Sequence, residues 1–415
     1  MSESLFAFTP DRLRALLGGQ TPQIQTPCFV YDTHRAATRF AALRAALPSR
    51  VRLAYAVKSN PGAPLLRTFA EQGAWFDCAS AGEIAQVLAA GGTGEAMVVA
   101  GPAKSERDLQ AVLYAGARVQ VDGIEDVRRL DAMHAAMQDA HAPEPLRVSV
   151  RVNPIGGVSE RATIIGGGGP SAFGVDEEDL DEFFRGASAY QNVQITGLQV
   201  FAASNELDAD ALLANHATAL GIGRRMATSH SVDLELIDIG GGLGIPYAES
   251  ETPLDIEALG VGLEALLAEH NWFTGHLLLE PGRWLSGPCG MYAARVIRTK
   301  RSRGVNFAML EGGINHLLRP LMTGQSFPTR ALGERDADPG ADRIRGDQSV
   351  EFTLAGPLCT SLDRLGTGHL PTDLRAGDVV VFGQAGAYAY TQAMTHFLSH
   401  PAPEQHWLQT EQPEV

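Results

Sequence analysis

A regular alternation of short apolar runs and helix-forming stretches extends from residue 35 to about residue 285. The apolar runs that predict strands are Val51–Val57, Met97–Ala100, Arg118–Val121, Leu146–Val152, Ile195–Phe201, Leu234–Ile239 and Leu277–Leu279. Strands that alternate with helices at this spacing are typical of a parallel sheet. Because about seven or eight such repeats fill the segment, we predict a closed (β/α)8 TIM barrel, an α/β fold.

The pattern changes after residue 286, where predicted strands follow one another without helices between them. A run of strands after a run of α/β units predicts a separate all-β domain. We therefore predict an N-terminal segment, 1–34, that packs with the β domain, a barrel over 35–285 and a C-terminal β domain over 286–415. Within these parts we predict a helix over 5–20, a strand over Gln25–Tyr31 and an exposed polar loop over 330–348.

Composition excludes several classes of function. The net charge of −15 argues against a nucleic-acid partner, because phosphate binding needs clustered Lys and Arg. We find neither a signal peptide nor an apolar run long enough to cross a bilayer, so we expect no membrane association. The four cysteines form no CxxC pair, so we expect no metal site and no disulfide framework. A reducing cytoplasm fits this pattern.

One lysine stands where a barrel places its chemistry. The apolar strand stops at Lys58, and Asn60-Pro61 turns the chain directly afterwards. Active sites of barrels lie at the carboxyl ends of the strands. An apolar setting disfavours the ammonium form, so Lys58 can lose its proton and attack a carbonyl. The alternative is a strand-end lysine whose amine extends to water.

Two further motifs end predicted barrel strands. Gly240-Gly241-Gly242 can converge its backbone N–H groups on a phosphate, although a tight strand-to-helix turn is the alternative. Glu280 ends a strand of leucines, and Arg283 follows three residues later. Glu280 can hold a protonated ring nitrogen and Arg283 can bind a carboxylate or phosphate, unless the two pair with each other.

The β domain contributes two candidates. Cys359 lies in a polar turn beside Asp363, where a thiol can act as an acid, although most free cysteines are inert apolar residues. Tyr388 follows small residues and can donate a hydrogen bond to an anion, unless it is an ordinary surface tyrosine. Lys58, the three glycines and Glu280 together offer an amine for a Schiff base, a phosphate site and a carboxylate for a pyridinium nitrogen, which is the set expected to hold pyridoxal 5'-phosphate in a barrel.

At these motifs the chain resembles the alanine-racemase-like (fold-type III) pyridoxal-phosphate decarboxylases, the superfamily of diaminopimelate and ornithine decarboxylases. The resemblance covers nearly the whole chain. It implies that Lys58, in Tyr55-Ala56-Val57-Lys58-Ser59-Asn60, is the cofactor lysine. It also implies that Gly240, Gly241 and Gly242 bind the phosphate.

The same resemblance assigns the remaining cofactor and catalytic residues. In Glu280-Pro281-Gly282-Arg283, Glu280 would contact the ring nitrogen, with Gly282 and Arg283 also at the cofactor. Tyr388 would bind the phosphate. Cys359, contributed by the partner subunit of a homodimer, would protonate the carbanion after carbon dioxide leaves.

Two departures from the family pattern bear on the substrate. Phe201 stands in place of a ring-stacking histidine, in a motif that ends at Ser204, so stacking is kept without the polar contacts. Thr360 follows Cys359, where decarboxylases of basic amino acids carry an acidic residue for the distal ammonium. Asp363 matches a later aspartate. Loss of the first carboxylate argues against a free diamino acid.

Shorter stretches resemble decarboxylases of carboxylate-type siderophore pathways, which act on a citrate-linked amino acid. They are Gly101–Lys104, Ser204–Asp208, Glu311–Gly313 with Arg319-Pro320, and Phe397–Pro401. This likeness implies a small substrate whose far end is anionic, such as citryl-serine or citryl-diaminopropionate. Arg283, Arg319, Thr360 and Asp363 would contact it.

Other functions stay open at this point. The substrate is alternatively an amino acid held on a carrier protein, or free diaminopimelate, ornithine or lysine. A racemase on the same scaffold needs two bases, and Cys359 in its turn favours decarboxylation. A non-enzymatic cofactor carrier lacks the β domain, so the roughly 130 residues after Arg283 weigh against it.

Overall fold

A computed structural model describes residues 4–18, 22–137, 144–155, 171–201, 204–333 and 348–409. The chain divides into two units. Residues 1–38, 246–252 and 285–415 form the first unit, and residues 39–245 and 253–284 form the second. Most of the predicted loop over 330–348 lies outside the described ranges, which omit 334–347.

The strands and helices of the described ranges are numbered in chain order. The strands are β1 (Cys28–Asp32), β2 (Val51–Ala56), β3 (Trp75–Cys78), β4 (Met97–Val99), β5 (Arg118–Val121), β6 (Leu146–Asn153), β7 (Val175–Asp176), β8 (Val193–Gln199), β9 (Leu236–Asp238), β10 (His276–Leu279), β11 (Gly290–Ser302), β12 (Val305–Leu310), β13 (Thr329–Leu332), β14 (Ser349–Ala355), β15 (Arg364–Pro371), β16 (Val379–Phe382) and β17 (Glu404–Leu408). The helices are α1 (Pro10–Leu17), α2 (Thr33–Ala46), α3 (Ala63–Glu71), α4 (Ala81–Ala89), α5 (Glu106–Ala115), α6 (Ile124–Met137), α7 (Leu180–Ala187), α8 (Ala209–Ser229), α9 (Ile256–Glu269), α10 (Arg283–Ser286) and α11 (Arg319–Thr323).

The second unit is a closed parallel barrel, which confirms the predicted fold class. Within the described residues, its eight strands pair in the order β2, β3, β4, β5, β6, β8, β9 and β10, and β10 pairs again with β2. Polar caps start the helices that follow these strands: Ser105 and Asp108 form a capping box at α5, and Asp208 and Asp255 cap α8 and α9. These caps fix where α5, α8 and α9 begin after the preceding strands.

The interior of the barrel changes from apolar to polar toward the carboxyl ends of its strands. Ala54, Val98, Leu236 and Leu278 form one buried apolar cluster inside it. Asp238 follows Leu236 by two residues, and Glu280 follows Leu278 by two residues. Both acids are buried. Because side chains alternate along a strand, residues two apart point the same way, and the acids extend the inward-facing rows of the apolar cluster.

The first unit contains a sheet that is separate from the barrel. In the described residues its path is β13, β16, β11, β12, β14 and β15, with β1 joined to β11 and to β17. The N-terminal segment packs on this sheet, since Leu13 and Leu16 of α1 share a buried cluster with Met291 and Val381. The predicted helix over 5–20 is too long: α1 begins at Pro10 after the Thr9 cap and ends at Leu17, and Phe6 joins the same cluster from outside the helix.

None of the helices in the described ranges combines the length and apolar character needed to span a membrane.

Candidate active site

Lys58 lies in a short 3-10 turn, Val57–Ser59, that follows β2. Its Nζ donates to Oδ2 of Asp77, at 2.6 Å. Asp77 is a buried residue of β3. The Asp77 side chain is 1% exposed, whereas that of Lys58 is 38% exposed. The predicted apolar setting is therefore wrong: the lysine meets a buried carboxylate, which favours the ammonium form in the free protein.

Hydrogen bonds and close packing hold the turn that carries Lys58. The Tyr55 hydroxyl donates to Asn60 O, at 2.9 Å, and Ser59 Oγ donates to the Tyr55 hydroxyl, at 3.0 Å. The motif that follows β10 packs against this turn, because a Cβ atom on Gly282 would lie 3.0 Å from the Cβ atoms of Ala56 and Ser59. A side chain at 282 would thus push the two motifs apart, which accounts for glycine at this position.

Glu280 is buried beside a second acid, Asp238. Gln120 Nε2 donates to Asp238 Oδ2, at 2.6 Å, and more weakly to Glu280 Oε1, at 3.4 Å. Burial raises the pKa of Glu280; Asp77 adds to the increase and Lys58 opposes it. Burial, followed by the repulsion from Glu280, raises the pKa of Asp238 well above its usual value. Two carboxyl groups this close cannot both be charged without a large energetic cost.

Arg151 brings a cation to the same acids. It lies on β6, it is buried, and its guanidinium carbon is 4.3 Å from the centre of the Phe173 ring. Burial lowers the pKa of Arg151, while the nearby carboxylates of Asp122, Glu280, Asp77 and Asp238 oppose this decrease. The carboxyl end of the barrel is therefore a mainly acidic site in which Lys58 and Arg151 provide positive charge.

The glycine turn after β9 forms a cradle of backbone groups. Gly240 and Gly242 have φ angles of +69° and +91°, which favour glycine. A Cβ atom on Gly240 would lie 3.0 Å from Val200 O and 3.2 Å from Phe201 Cδ2, and one on Gly241 would clash with Glu280 O. Within the described ranges, the N–H groups of Gly241 and Gly242 donate to no protein acceptor. They are thus available to an anion.

Phe201 lies next to this cradle, and Ser204 precedes a segment that is hydrogen-bonded to it. Phe201 packs close to Gly240, as the short Cδ2 distance shows, and Ser204 is half-buried. The chain after Ser204 is fastened to the glycine turn, because Glu206 N donates to Gly242 O and Gly244 N donates to Glu206 O, both at 2.8 Å. Arg283 begins α10 and is buried.

The turn with Cys359 belongs to the first unit, where Asp363 has a structural contact. Cys359 is exposed and Thr360 is half-buried. Asp363 is buried, with Oδ1 accepting from Ile314 N, at 2.8 Å, and Oδ2 accepting from Leu358 N, at 2.7 Å. Asp363 therefore joins two loops through their backbones. The predicted contact of Asp363 with the substrate stays a prediction, and the described contacts of this residue are structural.

Arg319 and Tyr388 of the first unit lie together. The guanidinium carbon of Arg319 is 4.9 Å from the centre of the Tyr388 ring, and Arg319 Nη1 donates to Gln392 Oε1, at 3.3 Å. Tyr388 has a φ of +52°, which turns the chain sharply at this residue. The pair presents a cation and a hydroxyl, which suit a carboxylate or a phosphate.

Sequence analysis missed the polar residues that surround Lys58 and Glu280. Asp77 lies in β3, Asp238 ends the strand before the glycine motif, and Gln120 lies inside the predicted run Arg118–Val121. Each of the three is a polar residue at the carboxyl end of an otherwise apolar strand. That pattern is the signal that identifies them.

Residues 34–287 match the family described as pyridoxal-dependent decarboxylase, pyridoxal binding domain. The chain belongs to this family. The predicted family, activity and cofactor are thereby confirmed: the protein is a decarboxylase, and its cofactor is pyridoxal 5'-phosphate.

Three relatives of the decarboxylase extend the likeness over most of its length. It is 31% identical to a diaminopimelate decarboxylase of Methanothermobacter thermautotrophicus over 95% of this chain and 90% of the relative. It is 28% identical to an L-glutamyl-(BtrI acyl-carrier protein) decarboxylase of Niallia circulans, over 92% and 89%. It is 27% identical to a 2-((L-alanin-3-ylcarbamoyl)methyl)-2-hydroxybutanedioate decarboxylase of Staphylococcus aureus, over 91% and 92%.

A solved structure supports the fold. The crystal structure of diaminopimelate decarboxylase from Helicobacter pylori complexed with L-lysine is 23% identical and superposes with a TM-score of 0.82, over 93% of this chain and 92% of that one.

The residues at the carboxyl end of the barrel fit the cofactor of this decarboxylase family. The glycine cradle offers N–H groups to the phosphate, Lys58 offers an amine to the aldehyde, and Glu280 offers a carboxyl group to the ring nitrogen. Two buried polar atoms beside them, Asp77 Oδ1 and Gln120 Oε1, have no partner among the described residues. Buried polar atoms are nearly always satisfied, so a polar group is expected to complete this site.

Proposed function

We propose that this decarboxylase removes the α-carboxylate of a citrate-linked amino acid, of the citryl-serine or citryl-diaminopropionate type, in siderophore biosynthesis. The observation that carries the proposal is the turn over 356–363. Its acid, Asp363, uses both oxygens on backbone N–H groups, and Thr360 follows Cys359. Asp363 is also only 3% exposed, so the described turn offers no exposed carboxylate to a distal ammonium.

Two further observations support an anionic far end. Arg319 provides a cation for a carboxylate, and the neighbouring Tyr388 provides a hydroxyl. The name of the Staphylococcus aureus relative describes an amino acid joined through an amide to a citrate skeleton. A charge-assisted hydrogen bond contributes about 1.5–3 kcal/mol, so Arg319 alone accounts for about a tenfold to hundredfold preference for an anionic substrate.

The proposed roles in the barrel follow from its contacts. Lys58 binds the cofactor aldehyde, and Asp77 orients its amine through the 2.6 Å hydrogen bond. Gly241 and Gly242 donate N–H groups to the phosphate, and Glu280 accepts a hydrogen bond from the ring nitrogen. When bound, pyridoxal phosphate supplies the electron sink for the pair left at Cα as carbon dioxide departs. Phe201 packs against the face of the ring.

The remaining proposed roles complete the reaction. Arg283 and Tyr388 bind anionic groups of the cofactor or substrate, with Ser204 and Gly242 beside the phosphate and Gly282 beside Lys58. Cys359 Sγ donates a proton to Cα, in the site of the partner subunit of a homodimer. In this account residues 35–285 form the barrel that binds the cofactor, and the N-terminal segment 1–34 packs with the β domain 286–415.

A mixing experiment tests the shared site. Lys58→Ala and Cys359→Ala are each expected to have little activity, because one lacks the cofactor lysine and the other the proton donor. After subunit exchange, half of the dimers are mixed and one of their two sites is intact, so activity should return to about a quarter of the wild-type value. No recovery in a mixture shown by sedimentation to contain mixed dimers would contradict the proposal.

A substrate panel tests the specificity. Release of carbon dioxide is measured with citryl-serine, citryl-diaminopropionate, an aminoacyl thioester on an acyl-carrier protein, and free diaminopimelate, ornithine and lysine. We expect kcat/KM for one citryl conjugate to exceed that for each free amino acid by more than about tenfold. Arg319→Gln, with Arg303→Gln as the exposed control, should lower this ratio. A free diamino acid or a carrier thioester as the best substrate would contradict the proposal.

Free diaminopimelate is the second candidate, because the Methanothermobacter thermautotrophicus relative is a diaminopimelate decarboxylase at 31% identity. Its far end carries a carboxylate that Arg319 would also bind. It carries an ammonium as well, for which the described turn 356–363 has no open acid. The panel separates the two candidates directly.

A further inference from the structure

The innermost part of the barrel site contains a pair of carboxyl groups. Gln120 Nε2 lies 2.6 Å from Asp238 Oδ2 and 3.4 Å from Glu280 Oε1, and both acids are buried. Two carboxyl groups that share one donor in a buried site cannot both be charged without a large energetic cost, so one of them holds a proton. The position of that proton decides whether Glu280 is charged where the site needs a charge.

The contacts of the two acids differ. Asp238 Oδ1 accepts from Gly240 N, at 2.9 Å, and Oδ2 accepts from Gln120, at 2.6 Å. Both donors are neutral. Lys58 and Arg151 favour the charged form of Glu280, and Arg151 interacts with Asp238 less strongly than with Glu280. Because a charge goes to the group with the better cationic surroundings, the proton goes to Asp238.

We propose that Asp238 carries the shared proton and is the positioning residue that keeps Glu280 charged and aimed at the cofactor. Its two oxygens also connect the glycine turn, through Gly240, to the Glu280 motif. One side chain thus links the part of the site that binds the phosphate to the part that binds the ring nitrogen.

The groups that face the pair are consistent with this arrangement. They are Asp77 on β3, Lys58 in the turn after β2, Gln120 on β5, Arg151 on β6 and Gly240 after β9. Burial and the neighbouring acids raise the pKa of Asp238 well above its usual value.

The inference rests on the proposed function only for the role of Glu280 toward the ring nitrogen. The location of the proton belongs to the cofactor-free protein and is measurable without activity. Infrared difference spectroscopy detects a protonated carboxylic acid through its carbonyl stretch, which is distinct from the stretches of a carboxylate. Spectra are recorded near neutral pH on the cofactor-free wild type, Asp238→Asn, Glu280→Gln and Asp108→Asn.

Asp108→Asn is the matched control. Asp108 caps α5 in the same unit, and its carboxylate accepts from Ser105 and from Ala81 N. Burial is the largest single influence on the pKa of Asp108 and raises it, but the hydrogen bonds from Ser105 and Ala81 together outweigh burial and hold this pKa below its usual value. This acid is therefore charged near neutral pH. We expect the carboxylic acid band in the wild type, its retention in Asp108→Asn and Glu280→Gln, and its loss in Asp238→Asn. The proposal is overturned if the wild type lacks this band. It is also overturned if the band is lost in Glu280→Gln and retained in Asp238→Asn.

Cofactor binding provides a second readout. Asn at 238 keeps a hydrogen-bond donor toward Glu280 and an acceptor for Gly240 N, whereas Ala keeps neither. We expect Asp238→Ala to weaken pyridoxal phosphate binding about 10- to 100-fold and Asp238→Asn to recover most of that loss. Equal weakening in both variants overturns the positioning role. If the band behaves as expected but no substrate is decarboxylated, the proposed function fails while the proton assignment stands.

Discussion

At the scale of single residues, Lys58 shows how surroundings alter a prediction made from sequence. Its position at the end of an apolar strand suggested a lysine that burial keeps neutral. The structure instead pairs it with Asp77, at 2.6 Å, and leaves its side chain 38% exposed. The lysine must therefore give up a hydrogen bond to a buried carboxylate before it can attack the cofactor aldehyde.

Removal of that carboxylate should speed cofactor capture. In Asp77→Asn the amine of Lys58 loses its anionic partner, so more of it is neutral at a given pH. Because Lys58 is partly exposed, the ion pair contributes about 1 kcal/mol or less, and we expect the rate of pyridoxal phosphate binding near pH 7 to rise about threefold. Stopped-flow absorbance measures this rate, with Asp108→Asn as the control. An unchanged or slower rate at every pH would contradict the assignment.

His216 provides a residue-scale prediction about stability. It is buried in α8, and burial lowers the pKa of its imidazole to about 4. The unfolded chain, with an ordinary histidine, takes up a proton below about pH 6.5, whereas the native protein does not until about pH 4. Stability is therefore lost as the pH falls through this window, by about 2 kcal/mol between pH 6.5 and pH 5.

Replacement of this histidine should remove that pH dependence. The free energy of unfolding is measured with urea at pH 7 and at pH 5. We expect the loss of this free energy between pH 7 and pH 5 to be smaller by about 2 kcal/mol in His216→Leu than in the wild type. His369→Gln, at an exposed position on β15, should behave as the wild type does. The same difference in His216→Leu and in the wild type would show that His216 is not the responsible group.

At the scale of elements, the barrel strands were predictable because they are short, apolar and separated by helices of clear periodicity. The predicted run over Arg118–Val121 matches β5, and the run over Leu146–Val152 falls one residue short of β6. The strands β15 and β17 were missed because Gly366, Gly368 and the polar Glu404–His406 weaken their pattern. Their pairing with distant strands, such as β17 with β1, comes from tertiary contacts that no local pattern contains.

The candidate site was predictable to the same extent. The glycines, Lys58 and Glu280 follow strands and form known motifs, so they were identified. Gln120 and Asp238 act through a side-chain contact between strands far apart in sequence, and Asp77 contacts Lys58 from the neighbouring strand β3. Those contacts depend on the register of the strands, which single-sequence patterns do not specify.

The glycine turn provides the prediction at this scale. A Cβ atom at position 241 would clash with Glu280 O, so Gly241→Ala must displace the turn from the Glu280 motif. We expect a loss of about 1–3 kcal/mol in the free energy of unfolding and weaker binding of pyridoxal phosphate. Gly221→Ala in α8, where a Cβ meets nothing within 4 Å, should instead stabilise by about 0.5–1 kcal/mol. Equal effects of both variants on cofactor binding would contradict the phosphate-binding role of the glycine turn.

At the scale of the whole molecule, the chain combines a barrel that holds the cofactor residues with a β unit that holds Cys359, Arg319 and Tyr388. Segment Pro246–Thr252 belongs to the β unit although it lies between β9 and α9 of the barrel in sequence. Sequence analysis did not anticipate this excursion, because a boundary inside a loop leaves the strand–helix alternation unchanged. In the proposed function, Lys58, Glu280 and the glycine turn of the barrel bind the cofactor, and the β unit supplies Arg319 and the turn 356–363, on which the proposed substrate preference depends.

The central claim is that the amine of Lys58 binds pyridoxal phosphate and is required for decarboxylation. The direct test compares the wild type with Lys58→Ala and Lys58→Arg, of which the second keeps a cation beside Asp77. Absorbance of the protein-bound cofactor and carbon dioxide release from a citryl conjugate are measured on the same samples. We expect both signals in the wild type and neither in the two folded variants. A Lys58→Ala protein that keeps the wild-type absorbance and rate would contradict the account.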